Sequence, residues 1–379
     1  MSEPGEIGVD AVVVGGGIIG LAVAWRGALS GLKVVVADPT PCSGASHAAA
    51  GMLAPVTEVT YTEEPLMRLG LASLALWPDF AAELTEASGH DLDYRTDGTL
   101  AVAFGTDDLV ALGELAAFMD KLKLPVERLT GRECRRLEPM LTPAVRGGVL
   151  ARGDAWVNPR RVTAALLTAL ERVGVSVLRE RVTGLVGNDR ARGVRLASGR
   201  TLAAERVVVA TGAWSGALDG LPPGLLPPVR PVKGQIMRLR SPEPLIGHCL
   251  RGMVHGSSAY LVPRGDGELV LGATQEEMGF DTRVTAGALW ELLRDARELV
   301  PGITELELSD VVARWRPGTP DNLPLIGPTS VEGLLMATGH YRNGVLLTPL
   351  TAATVLTGEP FPGGATLAAA CSPLRFGAK

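Results

Sequence analysis

The sequence is poor in cysteine and short of positive charge. Its four cysteines, Cys42, Cys134, Cys249 and Cys371, lie far apart with no Cys-x-x-Cys pair. That spacing suits neither a disulfide scaffold nor a zinc site and fits a reducing cytoplasm. Lys and Arg number 36 against 41 Asp and Glu, a formal charge of −5. Without a basic excess to neutralise phosphates, nucleic acid and anionic membrane surfaces are poor partners, and a small molecule is the better expectation. His47, His90, His248 and His255 show no clustered carboxylates and no ligand spacing, so no metal is expected. Residues 1–8 lack the basic region and cleavage site of a secretory signal. The apolar stretch 9–25 carries Asp10 and the run Gly15-Gly16-Gly17 and divides into a strand-like and a helix-like half. No other segment approaches the roughly 20 apolar residues of a membrane helix, so a buried strand and helix are expected there.

What is present is a large apolar content, 46% of 379 residues, enough for two domains. Residues 10–14 are a short β-branched run, glycines follow, and 18–30 is rich in Ala, Leu and small residues at helical density. Gly31 ends that helix and residues 32–37 read as a second buried strand. The start is therefore a βαβ unit with a parallel sheet. Further along, 65–86 reads as one helix, 94–104 as a strand pattern around Gly98, 109–122 and 158–173 as helices, and 175–178 and 207–212 as strands. The proline-crowded stretch 221–231 marks a crossing between domains. Beyond it, 234–239, 259–262 and 268–272 suggest a second, largely antiparallel sheet, after which strand 334–338, a glycine-flanked turn at 339–344 and a closing helix at 345–356 return to the first domain.

Gly15-x-Gly17-x-x-Gly20 falls where the first strand ends and the helix begins. Glycines there permit a tight turn, close approach of backbone to a pyrophosphate and tight helix packing, with the helix amino end facing the phosphates. Asp38 closes the second strand about 20 residues on, where a carboxylate accepts bonds from an adenosine ribose diol. The same charge would repel a 2′-phosphate, which disfavours NADP. The fingerprint does not distinguish FAD from NAD.

Ala48-Ala-Ala-Gly-Met52, Val209-Ala-Thr-Gly-Ala-Trp-Ser215, Arg316-Pro-Gly-Thr-Pro-Asp321, Gly327 and Gly339-His-Tyr-Arg-Asn-Gly344 follow in order. This series, spanning about 10–356, resembles the D-amino-acid oxidase family of flavoenzymes, and the last motif most resembles its glycine oxidase branch. The resemblance implies an α/β fold: a Rossmann-like FAD-binding domain of residues 1–90, 151–224 and 314–379, and a mainly antiparallel substrate domain of 91–150 and 225–313. It implies FAD contacts from Gly15, Gly17, Ile18, Ile19, Gly20, Ala37, Asp38, Ala45, Ser46, Thr211 and Gly212. Val182 would lie near the adenine and Ala50, Gly51 and Met52 near the isoalloxazine. His340, Tyr341, Arg342, Asn343, Gly344, Val345 and Leu346 would wrap the flavin. A helix beginning near Gly344 would turn its N–H groups toward the negative charge of a reduced flavin.

The resemblance also puts Arg316 under a substrate carboxylate, a role that suits its planar fork, and adds the Tyr260 hydroxyl and Arg342 beside flavin and substrate. It implies oxidation of glycine, sarcosine or small D-amino acids with O2 as acceptor, supplying imine for thiamine thiazole synthesis. A D-amino-acid or sarcosine oxidase and a quinone-linked dehydrogenase are the alternatives. Hydride transfer from the α-carbon of a neutral amine needs no catalytic base, so His340 reads as a backbone-shaping or flavin-side residue. No cysteine lies within 339–346, so the FAD is expected to be non-covalent. Gln275 and Ser258 depart from the family pattern at positions expected near the pocket. Relatives in the family suggest a homotetramer.

Overall fold

In the computed structural model, which describes residues 7–218, 221, 225 and 229–376, the first strand, Ile7–Val14, lies inside an eight-stranded sheet. It pairs in parallel with Val34–Ala37 on one side (Ala11 opposite Val34) and Thr201–Val209 on the other (Val14 opposite Val209). Ser176–Leu178 and Leu334–Thr338 extend the parallel set, Leu325–Pro328 closes one edge antiparallel, and a hairpin of Val182–Val186 and Gly193–Leu196 leans on Thr201–Val209. The helix Ile18–Leu29 lies on this sheet with Leu21, Ala22, Val23 and Trp25 all buried, Trp25 edge-on to Phe80. Val12 and Val14 pack on the opposite face with Val194, Val207 and Met336. Both faces are covered, which is why residues 11–14, Val34–Ala37 and residues 207–209 read as unbroken apolar runs.

The second sheet also has eight strands, in the order Glu307–Gly318, Arg230–Arg240, Glu268–Gly272, Ser257–Pro263, Cys249–Val254, Thr99–Ala103, Gly147–Ala151, Glu127–Thr130. All its pairs are antiparallel except Cys249–Val254 with Thr99–Ala103. The α/β class with a mainly antiparallel second sheet therefore stands as expected. Strand Glu307–Gly318 crosses position 314, where the first domain was expected to resume, and pairs along its length with Arg230–Arg240. The proline-rich crossing lies mostly outside the described residues.

Several elements differ from the sequence reading. The helix expected at 65–86 is two, Glu64–Leu74 and Trp77–Ser88, because Pro78 lacks the N–H that would continue the first helix and suits the first turn of the second. The strand near Gly98 is only Thr99–Ala103, buried on both sides: Leu100 and Val102 belong to one core with Ala296 and Leu299, while Ala101 and Ala103 belong to another with Leu112 and Ala116. The closing helix is Thr348–Val355, starting later than residue 345 because residues 344–347 form a separate turn. In that turn Thr348 Oγ1 donates to the Gly344 carbonyl at 2.8 Å and Leu347 N to the Asn343 carbonyl at 2.8 Å. No helix among the described residues is long and apolar enough to cross a membrane.

Candidate active site

The carboxyl ends of the parallel strands and one face of the second sheet enclose a cavity of about 530 Å³. Gly15 (φ +114°) sits where a Cβ would strike the Ala210 carbonyl, so the turn after Ile7–Val14 closes only with glycine. Gly17 caps the helix Ile18–Leu29, and Gly15, Gly17, Ile18 and Ile19 line the cavity at that helix's amino end. Ser46 Oγ accepts the Ile18 N–H at 3.0 Å, tying the short helix Ala45–Ala48 to the same turn. Gly20 does not reach the cavity; it packs on the Gly15 carbonyl, where any Cβ would collide.

Asp38 lines the cavity at the end of Val34–Ala37, with Ala37 beside it. Its Oδ2 accepts the Gly16 N–H at 2.6 Å and its Oδ1 the Thr40 N–H at 2.7 Å. The carboxylate is thus fixed in orientation while each oxygen keeps an acceptor site. Val182, Thr211 and Gly212 stand in the same wall, as does Cys42, whose thiol burial raises. Ala45, Ser46, Ala50, Gly51 and Met52 form the next stretch. Gly51 (φ +82°) lies against the Val157 carbonyl, with no room for a side chain.

Of the turn after strand Leu334–Thr338, His340, Tyr341, Arg342, Gly344 and Val345 line the cavity; Asn343 and Leu346 do not. Those two face a smaller neighbouring cavity of about 20 Å³, and the Leu346 carbonyl is taken by Ser73 Oγ at 2.6 Å and Trp77 Nε1 at 2.9 Å. The His340 ring is buried and 2.9 Å from Thr351 Oγ1. That hydroxyl donates its own proton to the Leu347 carbonyl at 2.8 Å, so His340 Nε2 carries the donated hydrogen. Burial pushes His340 down to about 3, which makes it a neutral ring braced against the turn.

At the other end of the cavity, Arg316 and Tyr260 come together from strands Glu307–Gly318 and Ser257–Pro263. Arg316 Nη1 donates to the carbonyls of Thr274 at 3.0 Å and Lys233 at 3.4 Å, and no carboxylate pairs with it among the described residues. Burial raises the Tyr260 phenol even though the Arg316 guanidinium opposes the rise. Two glycines make the approach possible: a Cβ on Gly234 would enter the Arg316 guanidinium, and one on Gly272 would enter the Tyr260 ring. Neither had a signal in the sequence, since each matters only through cross-strand pairing. Arg342 pairs with Glu63 at 3.0 Å and lies over the Tyr341 ring.

Glu58 is a further cavity residue the sequence did not announce, bound to Arg251 at 2.8 Å. Its turn hangs on the buried Asp154 carboxylate, which accepts from Val56 N and Thr57 N at 3.2 Å and Thr57 Oγ1 at 2.7 Å; burial raises Asp154 to about 6. Trp214 and Trp315 also line the cavity, and Trp214 stacks on Phe280. Gln275 and Ser258, expected near the pocket, are exposed and outside its wall.

The chain is 37% identical to the glycine oxidase of Geobacillus kaustophilus over 90% of each chain. It is 36% identical to the bifunctional protein ThiO/ThiG of Trichormus variabilis, covering 91% of this chain and 52% of that protein, so it spans about half the length of the bifunctional relatives. A crystal structure of glycine oxidase from Geobacillus kaustophilus superposes with a TM-score of 0.83 at 36% identity, covering 91% of this chain and 92% of that one. The cavity's glycine cradle, the Asp38 carboxylate and the turn at 339–345 all fall inside residues 10–356, the stretch matched by the FAD dependent oxidoreductase (DAO) profile, and the chain belongs to that family.

Proposed function

We propose that this chain oxidises glycine, and with it sarcosine or small D-amino acids, to the corresponding imine, the reaction that supplies thiazole synthesis in thiamine formation. The observation that carries the reading is Arg316: a guanidinium in the cavity wall beside the Tyr260 phenol, held by two backbone carbonyls and by no carboxylate among the described residues. A charge so placed has bidentate capacity left for a ligand carboxylate.

The residues fit FAD. Gly15, Gly17, Ile18 and Ile19 offer backbone at a helix amino end for the pyrophosphate, Asp38 an oriented acceptor for the ribose, Val182 an apolar contact for the adenine, and Ala50, Gly51 and Met52 a surface without bulky side chains for the flavin ring. When bound, FAD supplies the two-electron acceptor and passes the electrons on to O2, releasing hydrogen peroxide. The protein's part is then orientation: Arg316 and Tyr260 fix the carboxylate, Glu58 faces the same space, and His340, neutral and braced by Thr351, shapes the turn without taking a proton. On this reading residues 1–90 and 151–224 with the chain's last part form the FAD domain, and the second sheet with Arg316 at its edge strand the substrate domain. The family resemblance extends to a homotetramer in the cytoplasm, which light scattering would check.

Anaerobic mixing of the yellow protein with glycine, sarcosine and D-alanine tests the assignment. Flavin bleaching fastest with glycine supports it. Preference for D-alanine or sarcosine moves the protein to a D-amino-acid or sarcosine oxidase, and bleached flavin that O2 does not reoxidise moves it to a quinone-linked dehydrogenase.

A further inference from the structure

Behind the wall formed by residues 48–51 lies a set of charged side chains that do not line the cavity. Arg264, 1% exposed, donates through Nη1 to the Val157 carbonyl at 3.1 Å and through Nη2 to the Ala50 carbonyl. Arg238, 0% exposed, reaches the carbonyls of His47 at 3.3 Å and Ala49 at 3.5 Å through Nη2. Arg160 Nε adds a third bond to this stretch, to the His47 carbonyl at 3.0 Å. Two carboxylates answer the three guanidinium groups. Glu268 lies 2.6 Å from Arg238 Nη1 and 3.9 Å from Arg264 Nε; Asp310 lies 2.5 Å from Arg160 Nη2 and 3.9 Å from Arg238 Nε. Within this group three guanidinium charges meet two carboxylates, and Asp93, the further carboxylate that acts on Arg264, is itself paired with Arg95 at 3.0 Å.

Packing alone would not select this arrangement, because burying a guanidinium group forfeits its hydration before any pairing. Fastening a loop by its carbonyls needs no net charge. A positive charge in a dry interior acts at range, and a guanidinium on a peptide carbonyl also polarises the next N–H in the chain. Two of the carbonyls held, those of Ala49 and Ala50, precede the N–H groups of Ala50 and Gly51, and both of these residues stand in the cavity wall.

We propose that Arg238 and Arg264, balanced by Glu268, are positioning residues that hold segment 47–51 and set a positive field behind the flavin, raising its reduction potential. This rests on the flavin ring lying against Ala50–Met52. The test compares holoenzyme reduction potentials, by equilibration with reference dyes, for Arg264→Gln and Glu268→Gln. Arg264→Gln should lower the potential by a tenfold shift in the reduction equilibrium, about 30 mV for a two-electron couple. Glu268→Gln keeps a hydrogen-bonding partner for Arg238 but removes the compensating charge, so it should move the potential the other way. Dissociation constants for sulfite, an anion that adds to oxidised flavin, should move in parallel, weaker for Arg264→Gln and tighter for Glu268→Gln. A merely structural role would lower the melting temperature of both variants without opposite shifts in potential, and equal or same-sign shifts overturn the proposal. Should Arg264→Gln not fold, Glu268→Gln alone decides by the sign of its shift. Met52→Ala serves as a placement control: a flavin spectrum it leaves unmoved refutes the ring's position, and the inference with it, whereas a moved spectrum beside unmoved potentials sinks the inference alone.

Discussion

Arg316 concentrates the substrate assignment in one side chain. Removing it strands a ligand carboxylate in a partly desolvated site, so Arg316→Ala should keep its yellow colour and lose about 2 to 5 kcal/mol in kcat/KM for glycine. Arg316→Lys should recover only part, since an ammonium cannot form the planar fork. Peroxide assays check both, with carboxylate-free amines as the control that should barely change. Asp38 makes a separate prediction: Asp38→Ala should weaken FAD retention by about 1 to 3 kcal/mol, read by flavin fluorescence on dilution, since ribose hydroxyls lose a charged acceptor. Asp38 was legible from position and charge alone. Arg316 and Tyr260 were legible only through the family pattern, because an arginine or tyrosine on a strand is ordinarily a surface or packing residue. Glu58 was not legible, for nothing in a sequence says that a turn near residue 58 folds against residues 251 and 260. His340 gives a pH signature. Held neutral at about 3 in the fold and free to protonate near 6.5 unfolded, it contributes stability that is complete above pH 6.5 and declines as pH falls toward 3. The stability difference between the protein and His340→Asn, from urea titrations at several pH values, should therefore narrow on acidification at about 1.4 kcal/mol per pH unit. Asp154, raised to about 6, carries the opposite sign, losing stability as pH rises through its window, so only the difference between the two proteins isolates the histidine.

Among the elements, the paired strands Arg230–Arg240 and Glu307–Gly318 explain what was hard to read. The second is charged and polar along much of its length because Arg314 and Arg316 turn into the cavity, so it lacks the apolar run that revealed Val34–Ala37. Its pairing partner supplies the room: Gly234 lies where any side chain would displace the Arg316 guanidinium. Gly234→Ala should accordingly cut kcat/KM for glycine at least tenfold, more than about 1.4 kcal/mol, while leaving FAD affinity unchanged. Equal losses of flavin and activity would instead mean that the strand pair itself had shifted. Turn chemistry was easier: Asn158 before Pro159 read as a helix start, and its side chain accepts from Arg160 N at 3.1 Å. The late start of Thr348–Val355 was not readable, because the turn before it has helical composition and is set by hydrogen bonds to Asn343 and Gly344.

At the scale of the molecule, the cavity draws its wall from residues as far apart as Val14 and Val345, and no cysteine stands in the turn at 339–346. Cys42 does line the cavity, but it stands beside Asp38 after the strand Val34–Ala37, with its N–H on the Gly16 carbonyl, and burial raises its thiol. Acid precipitation should therefore release all the FAD into the supernatant; flavin carried down with the chain would contradict a non-covalent site. The two-sheet division was legible in the shift from parallel to alternating patterns. Residues 91–150 were assigned beside the second sheet only through the family resemblance; that they supply the strands Gly147–Ala151 and Glu127–Thr130 had no local mark, because pairing between distant segments leaves none.

The parallel pairing of Ile7–Val14 has a consequence for synthesis on the ribosome. Its neighbour on one side, Val34–Ala37, emerges almost at once, but the other, Thr201–Val209, emerges only after most of the second sheet's early strands, and Leu334–Thr338 comes near the end. Until then the first strand, apolar over residues 11–14, offers an unpaired edge on that side, the kind of surface on which nascent chains aggregate or recruit chaperones. Chains stalled before residue 201 should remain open to protease at that edge, and protection should arrive in steps as the later strands leave the exit tunnel.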